Sequence, residues 1–327
     1  MTSDRIRAID LFCGIGGNSW GARAAGAEIV AGFDISDSAG QVFRANFPEA
    51  RFYRGDLSAY SQADILQIKA ETGPIDLLLA SPECTSHSPA RGGKPPDPNS
   101  MRLSWNIWRF ARLLRPRWMV IENVPAMRNW SAYPIFLKQL QKEGYHLREQ
   151  ILDASDFGVP QSRKRLYILC DRESEPSEVV PTSNHPVPAH SFLNLNGAYP
   201  CSPLEKAGRA QKTLERARRA VQALGRDTPF LLVYYGTGTN WQPLDMPLRT
   251  VTTHDRFALV RPDGKGGHVM RMLQPDELQA AMGFPPQFNL GVCPTRGLKI
   301  HLLGNAVCPP VMTAIVRTLT SETLRGR

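Results

Sequence analysis

No two cysteines in this chain are spaced for a metal finger or a CxxC redox couple. The six stand at positions 13, 84, 170, 201, 293 and 308, so the simplest reading is reduced thiols in a cytosolic protein with no metal site. No apolar run approaches the ~20 residues that cross a bilayer, which argues against a membrane role. Met1 to Arg7 is polar, charged and leads into a strand, so no secretory leader is expected. Repeats and low-complexity tracts are missing too. What is present is a chain of 327 residues, 42% hydrophobic, long enough for one large domain or two smaller ones. Its net charge of +9 and pI near 9.4 favour a polyanionic partner. Basic residues gather at Arg102, Arg109, Arg112, Arg115 and Arg117, and again from Lys206 to Arg219. Solvated helix faces would carry the same charges, so charge alone does not establish nucleic-acid binding.

Short apolar runs alternate with helical stretches over the first half. Ala8 to Phe12, Glu28 to Phe33, Ile75 to Ala80, Trp118 to Ile121 and Arg165 to Cys170 read as strands, with helices near Ser19 to Ala25, Ser38 to Phe47, Met101 to Leu114 and Tyr133 to Lys142. That alternation predicts a mostly parallel α/β sheet covered on both faces. After Asp171 the chain turns rich in Pro, Ser, Asn and His and reads as loop. A basic amphipathic helix is expected from about Pro203 to Leu224, then β structure over Phe230 to Tyr235 and Arg249 to Val260. Pro275 to Met282 and Pro310 to Leu319 read as helices, the last returning to the first domain. The division is 1–170 with 265–327 for one domain and 171–264 for a smaller second one.

The chemistry-bearing residues follow strand ends. Gly14, Gly16 and Gly17 sit between a strand and a helix, where glycine lets backbone approach a ligand closely. Asp34 follows about twenty residues on, where an acid can accept from ribose hydroxyls. Ser19 stands where a dinucleotide fingerprint needs its third glycine, which argues against NAD and leaves room for S-adenosylmethionine. Asp56 is a third strand-end acid, able to receive an adenine amino group. Cys84, in Ser81-Pro82-Glu83-Cys84-Thr85, lies on the loop leaving a buried strand, where chemistry collects in open sheets; a thiol there is either a nucleophile or a small buried hydrophobe. Glu122, in Glu122-Asn123-Val124, follows another apolar strand and suits acid or base-recognition work. In Gln161-Ser162-Arg163-Lys164-Arg165 the two outer arginines fall on one side of an extended chain and can address one anionic group. Gly304-Asn305-Ala306-Val307 is a turn opening the last helix.

In this order the segments resemble the DNA cytosine-5 methyltransferase family, over most of the chain except roughly 171 to 245. The resemblance implies a Rossmann-like S-adenosylmethionine-dependent methyltransferase fold with a smaller target-recognition domain. It also implies S-adenosyl-L-methionine as cofactor, held by Phe12, Gly14, Gly16, Gly17, Asp34, Ile35, Asp56, Asn305 and Ala306, and double-stranded DNA as partner. Cys84 would add to carbon 6 of a flipped-out cytosine, Glu122 would hold ring nitrogen 3 and the exocyclic amine, and Arg165 with Arg163 would bind the pyrimidine carbonyl. A monomer on DNA, a cytoplasmic, nucleoid-associated setting in a bacterium or phage, and a restriction-modification context go with it. Residues from about 172 to 262, including Tyr234 to Trp241, would read the target, with Asn240 and Trp241 as base contacts. The chain departs from the family at Glu83, where a second proline is usual, and at Thr85 and His87, where glutamine and phenylalanine are usual; a branch of the family carries a similar Pro-Glu-Cys-Thr loop. A cytosine-5 methyltransferase acting on RNA and a catalytically silent DNA-binding protein are the rival readings.

Overall fold

The computed structural model describes residues 5–83, 98–236 and 238–325; expectations that fall on Cys84, Thr85 and His87 lie outside the described residues. In chain order the first part runs β1 (Arg7–Leu11), α1 (Gly17–Ala24), β2 (Glu28–Asp34), α2 (Asp37–Asn46), β3 (Arg51–Arg54), α3 (Gln62–Thr72) and β4 (Leu77–Ala80). It continues through α4 (Pro98–Leu114), β5 (Trp118–Asn123), α5 (Tyr133–Lys142), β6 (His146–Asp153) and β7 (Lys164–Asp171). These seven strands form one sheet in the order β3-β2-β1-β4-β5-β7-β6. All pairings are parallel except those of β7, which runs against both neighbours.

The period of two along each central strand divides its side chains between two cores. Leu77, Leu79, Trp118, Val120, Tyr167 and Leu169 enter one apolar cluster, and Leu78, Ala80, Met119, Ile121, Leu166 and Ile168 enter the other. Both faces are therefore buried, which is why these strands are continuous apolar runs. Ile65 and Ile68 of α3, Ile107 and Phe110 of α4, and Phe136 and Leu140 of α5 cover the second face.

The remaining elements are β8 (Ser202–Pro203), α6 (Gln211–Leu224), β9 (Phe230–Val233), β10 (Trp241–Pro243), β11 (Phe257–Pro262), β12 (His268–Met272), α7 (Pro275–Ala281), α8 (Arg296–Asn305) and α9 (Pro309–Arg325). Strands β8 to β12 make a five-stranded antiparallel sheet. Its alternate residues again part ways. Leu231, Val233, Phe257 and Leu259 join the first core, whereas Phe230, Leu232, Ala258 and Val260 pack with Ala217 and Ala220 of α6.

Three sequence expectations shift here. The small sheet runs on to Met272, past the boundary read at 264. Helix α6 begins at Gln211 and not near Pro203, because Ser202–Pro203 is spent pairing with β12 and Leu204 donates its N–H to His268. Residues 249–256 carry no strand, and β10 takes its place in the sheet.

Helix α9 does return to the first domain. A Cβ at Gly21 would lie 2.5 Å from the Pro309 carbonyl oxygen, and Thr313 donates its hydroxyl to the Gly21 carbonyl at 3.0 Å. The segment Arg296–Ser321 does reach the length and apolarity of a membrane span, unlike what the sequence suggests. In the fold it is two helices broken at 306–308 and mostly buried, so its apolarity is that of core packing.

Candidate active site

Strand register assembles the site. Leu11 of β1 aligns with Ala80 of β4, and Ala80 with Ile121 of β5, so the chain leaves all three strands at one edge. Phe12, Ser81 and Glu122 therefore stand in a row there. Because β7 is antiparallel, with Tyr167 opposite Glu122, its amino end brings Arg165 to the same edge. This is where a doubly wound sheet places its ligands.

The cofactor turn is shaped by three positive φ angles, at Phe12 (57°), Gly14 (52°) and Gly16 (93°). A Cβ on Gly14 would meet no protein atom within 4 Å, so the turn is open for a ligand at this point. A Cβ on Gly17 would lie 2.3 Å from the Val307 carbonyl oxygen, so the turn is also pressed against the α8–α9 connection. Asp34 accepts the Gly14 N–H and the Ser36 N–H, each at 2.8 Å. Burial pushes its carboxyl up, and those backbone donors oppose the rise. Ile35 next to it is 68% exposed, an apolar face offered to solvent. Asp56 is exposed, caps a short turn through Ser58 and lines a cleft of about 390 Å³ with Tyr53, Arg54 and Tyr60. Asn305 is exposed and Ala306 buried; they end α8 rather than open the last helix, which starts at Pro309. An open glycine turn, two strand-end acids and an exposed aliphatic side chain suit the adenosine and amino-acid parts of S-adenosylmethionine.

Glu122 is buried, 7% exposed. Its Oε1 sits 3.1 Å from Arg165 Nε. Burial pushes the Glu122 carboxyl up, and Arg165 and then Arg163 pull it back. Asn123 donates its side-chain amide to the Pro82 carbonyl at 3.2 Å, joining the end of β5 to the chain two residues before Cys84. Cys84 itself lies outside the described residues. Among the other thiols Cys13, Cys170 and Cys308 are buried, and burial pushes each up, Cys308 to about 11. Low thiolate content makes them poor nucleophiles.

Arg163 and Arg165 do not share one anionic group. The Arg163 guanidinium donates to the carbonyls of Val251 (2.9 Å), Gly304 (2.8 Å) and Ala306 (3.2 Å). Its Nε is buried and without a hydrogen-bond partner among the described residues. Burial, with Arg165 beside it, lowers the Arg163 pKa to about 10. Arg163 thus joins β7 to two later segments, and the edge-facing cation is Arg165. Of the first basic cluster, Arg109 donates to Tyr60 and Asn106, and Arg117 pairs with Asp171 and Glu173. Lys212, Arg218 and Arg219 on α6 are exposed. Trp241 is half-buried against the small core, and the Asn240 carbonyl accepts from Val233.

One buried group has no counterpart in the sequence reading. Asp10 of β1 is fully buried; Ser19 donates to its Oδ2 at 2.7 Å and Asn18 to its Oδ1 at 3.3 Å. The signal available is an acid inside the apolar run Ala8 to Phe12, which must find donors. Burial outweighs those donors and raises its pKa from 3.8 to about 7. The folded protein thus holds a proton that the unfolded chain releases, so this stabilisation is full below pH 3.8 and lost as pH rises to about 7. Relative to Asp10→Asn, the wild type should lose stability of order 4 kcal/mol across that window and none above it. Urea unfolding of both proteins from pH 4 to 8 checks this, and parallel curves would contradict it.

The model of the family described as C-5 cytosine-specific DNA methylase matches residues 6–321. The chain is 32% identical over 193 residues to type II methyltransferase M.HindV of Haemophilus influenzae, covering 58% of this chain and 62% of that protein. It is 26% identical over 314 residues to M.NgoBI of Neisseria gonorrhoeae, covering 94% and 91%. Among solved structures the fold is similar to S. pombe Dnmt2 methyltransferase, with TM-score 0.70 and 19% identity over 98% of this chain and 99% of that one. It is also similar to the Entamoeba histolytica methyltransferase EhMeth, at TM-score 0.66 and 18% identity over 98% and 99%. The glycine turn, the strand-end acids and the Glu122–Arg165 pair thus fall within a match that spans nearly the whole chain, and the protein belongs to the C-5 cytosine-specific DNA methylase family, enzymes that methylate cytosine in DNA with S-adenosyl-L-methionine.

Proposed function

We propose that this chain methylates carbon 5 of a cytosine flipped out of double-stranded DNA, through a covalent bond between Cys84 and carbon 6. The observation that carries the reading is the buried Glu122–Arg165 pair at 3.1 Å, set beside the strand that leads to Cys84. Cytosine carbon 5 is a weak nucleophile. The Cys84 thiolate forms a bond to carbon 6, the carbon 5–carbon 6 electron pair shifts into the ring, and Glu122 holds the proton at nitrogen 3. Arg165 orients the pyrimidine carbonyl and keeps Glu122 placed; Arg163 chiefly fixes the strand that carries Arg165. Bound S-adenosylmethionine supplies an electrophilic methyl group, held by Phe12, Gly14, Gly16, Gly17, Asp34, Ile35, Asp56, Asn305 and Ala306. Once carbon 5 is methylated its proton leaves to a base, the electron pair re-forms the double bond and the sulfur–carbon 6 bond breaks. Extruding the base costs a few kcal/mol of stacking.

The exposed cations of α6 suit phosphate contacts, and the segment 172–262 suits target reading. The type II names of the relatives support a restriction-modification setting; action as a monomer on DNA, in a bacterial cytoplasm and close to the nucleoid, belongs to the same proposal. The test is transfer of labelled methyl to duplex DNA and to transfer RNA, with bisulfite sequencing of host DNA after expression. Label and conversion-resistant cytosines in DNA, plus a covalent complex with 5-fluorocytosine DNA that Cys84→Ser cannot form, are the expected results. Label confined to RNA would replace the substrate, and no label or trapping would leave a silent DNA-binding protein.

A further inference from the structure

A chain of side-chain hydrogen bonds runs from the middle of the cofactor turn to the nucleophile loop. Asn18, on the first turn of α1 and 1% exposed, donates its Nδ2 both to Asp10 and, at 3.1 Å, to the Ser81 hydroxyl. Ser81 passes its own proton to the Phe12 carbonyl at 3.1 Å, and its N–H bonds to the Leu11 carbonyl at 3.2 Å. From the other side Asn123 holds the Pro82 carbonyl. Ser81 stands three residues before Cys84, and a chain reaches at most ~3.6 Å per residue. Ser81 and Pro82, three and two residues before Cys84 in sequence, are thus held from the β1 side and from the β5 side.

We propose that Asn18 and Ser81 are positioning residues: the Asn18 amide, anchored on buried Asp10, registers the Cys84 loop against the turn that receives the cofactor. The assignment rests on the reading of Cys84 as nucleophile. Two features separate it from ordinary core satisfaction. The network keeps an acid inside a strand whose burial opposes ionisation, a costly way to fill space. The Asn18 Oδ1 is also buried and has no donor among the described residues, so the amide is set by Asp10 and Ser81 at the expense of its own acceptor. The Asn18–Ser81 and Ser81–Phe12 bonds link segments far apart in sequence, one next to the cofactor glycines and one next to the nucleophile. Misplacing a reacting atom by about 1 Å costs up to ~100-fold in rate.

The test is a double-mutant cycle of Asn18→Ala and Ser81→Ala on the full chain, with Ser81→Thr as the hydroxyl-keeping variant. The readouts are single-turnover methyl transfer, KM for DNA, trapping rate on 5-fluorocytosine DNA, and equilibrium binding of S-adenosylmethionine. Ser81→Ala should slow transfer and trapping roughly ten- to a hundredfold, with cofactor affinity and KM within about twofold. Ser81→Thr should recover most of the rate, and the double variant should be no slower than Asn18→Ala alone. Should Asn18→Ala fail to fold, the Ser81 pair decides. An active wild type with Ser81→Ala unimpaired, with losses that multiply, or with KM rising and cofactor affinity falling as far as the rate, overturns this proposal alone. A wild type that neither labels nor traps any cytosine overturns the functional reading and this proposal with it.

Discussion

Glu122→Gln is expected to keep the fold and DNA binding while slowing methyl transfer by about 10²- to 10⁴-fold, the range that a positioned acid–base group contributes. The residue is 7% exposed and its carboxylate is paired with Arg165. Burial favours its neutral form and the two arginines favour the charged one, with burial prevailing. A carboxyl balanced in this way can share a proton with ring nitrogen 3 as the thiolate adds. Glutamine has nearly the same shape and can donate to or accept from the ring, but it cannot exchange that proton. It also leaves Arg165 without its counter-charge. The loss should appear in kcat and in the rate of covalent trapping, with a smaller change in KM. The pH–rate profile should lose an ionisation that the wild type shows. Single-turnover measurements across pH 5 to 9 check this; a Glu122→Gln rate within a few-fold of wild type, alongside a dead Cys84→Ser, would remove Glu122 from the chemistry.

Much of that edge was legible before the fold, because each of its main motifs borders an apolar run that reads as a buried strand. Gly14, Asp34 and Glu122 stand at the end of such a run or up to three residues past it, and parallel register aligns them; Arg165 opens its run and reaches the same edge because β7 is antiparallel. What periodicity cannot reveal is which polar side chains meet across the sheet. Asn18 and Ser81 are 63 residues apart and look like ordinary loop and cap residues. Arg163 and Arg165 share a side of the strand, yet the carbonyls that hold Arg163 come from residues 88 to 143 positions away, so their roles divide only in three dimensions. Helix α8 was missed because Gly297 and Gly304 interrupt its pattern. Gly304 is there for another reason: a Cβ would lie 2.3 Å from the Thr252 carbonyl carbon. The reach of the small sheet to Met272 was hidden because the boundary set between 264 and 265 falls in the turn of the β11–β12 hairpin, where Asp263 bonds to Gly267.

The largest stability effect is expected at the junction of that hairpin with α7. Arg271 of β12 and Glu277 of α7 form a bidentate pair at 2.7 and 2.6 Å, with side chains 4% and 2% exposed. Glu277 also accepts the N–H groups of Asn194 and Gln274, and Arg271 donates to the Asn194 carbonyl and lies over the Tyr199 ring. Three separate segments thus converge on one carboxylate. In Glu277→Ala the arginine remains as a buried charge, two backbone donors lose their acceptor and α7 loses half of its capping box. Removing one partner of such a pair costs about 3–5 kcal/mol. Replacing both, as in Arg271→Met with Glu277→Leu, removes the stranded charge and should recover much of the loss, although the two backbone donors stay unmet. Urea unfolding followed by tryptophan fluorescence gives both values. A Glu277→Ala protein within about 1 kcal/mol of wild type, or a double variant worse than the single one, would mean that the pair does not hold the junction. Because β12 belongs to the sheet proposed to read DNA, the surviving fraction of Glu277→Ala should bind DNA more weakly while its affinity for S-adenosylmethionine, set at the far strand ends, stays close to wild type.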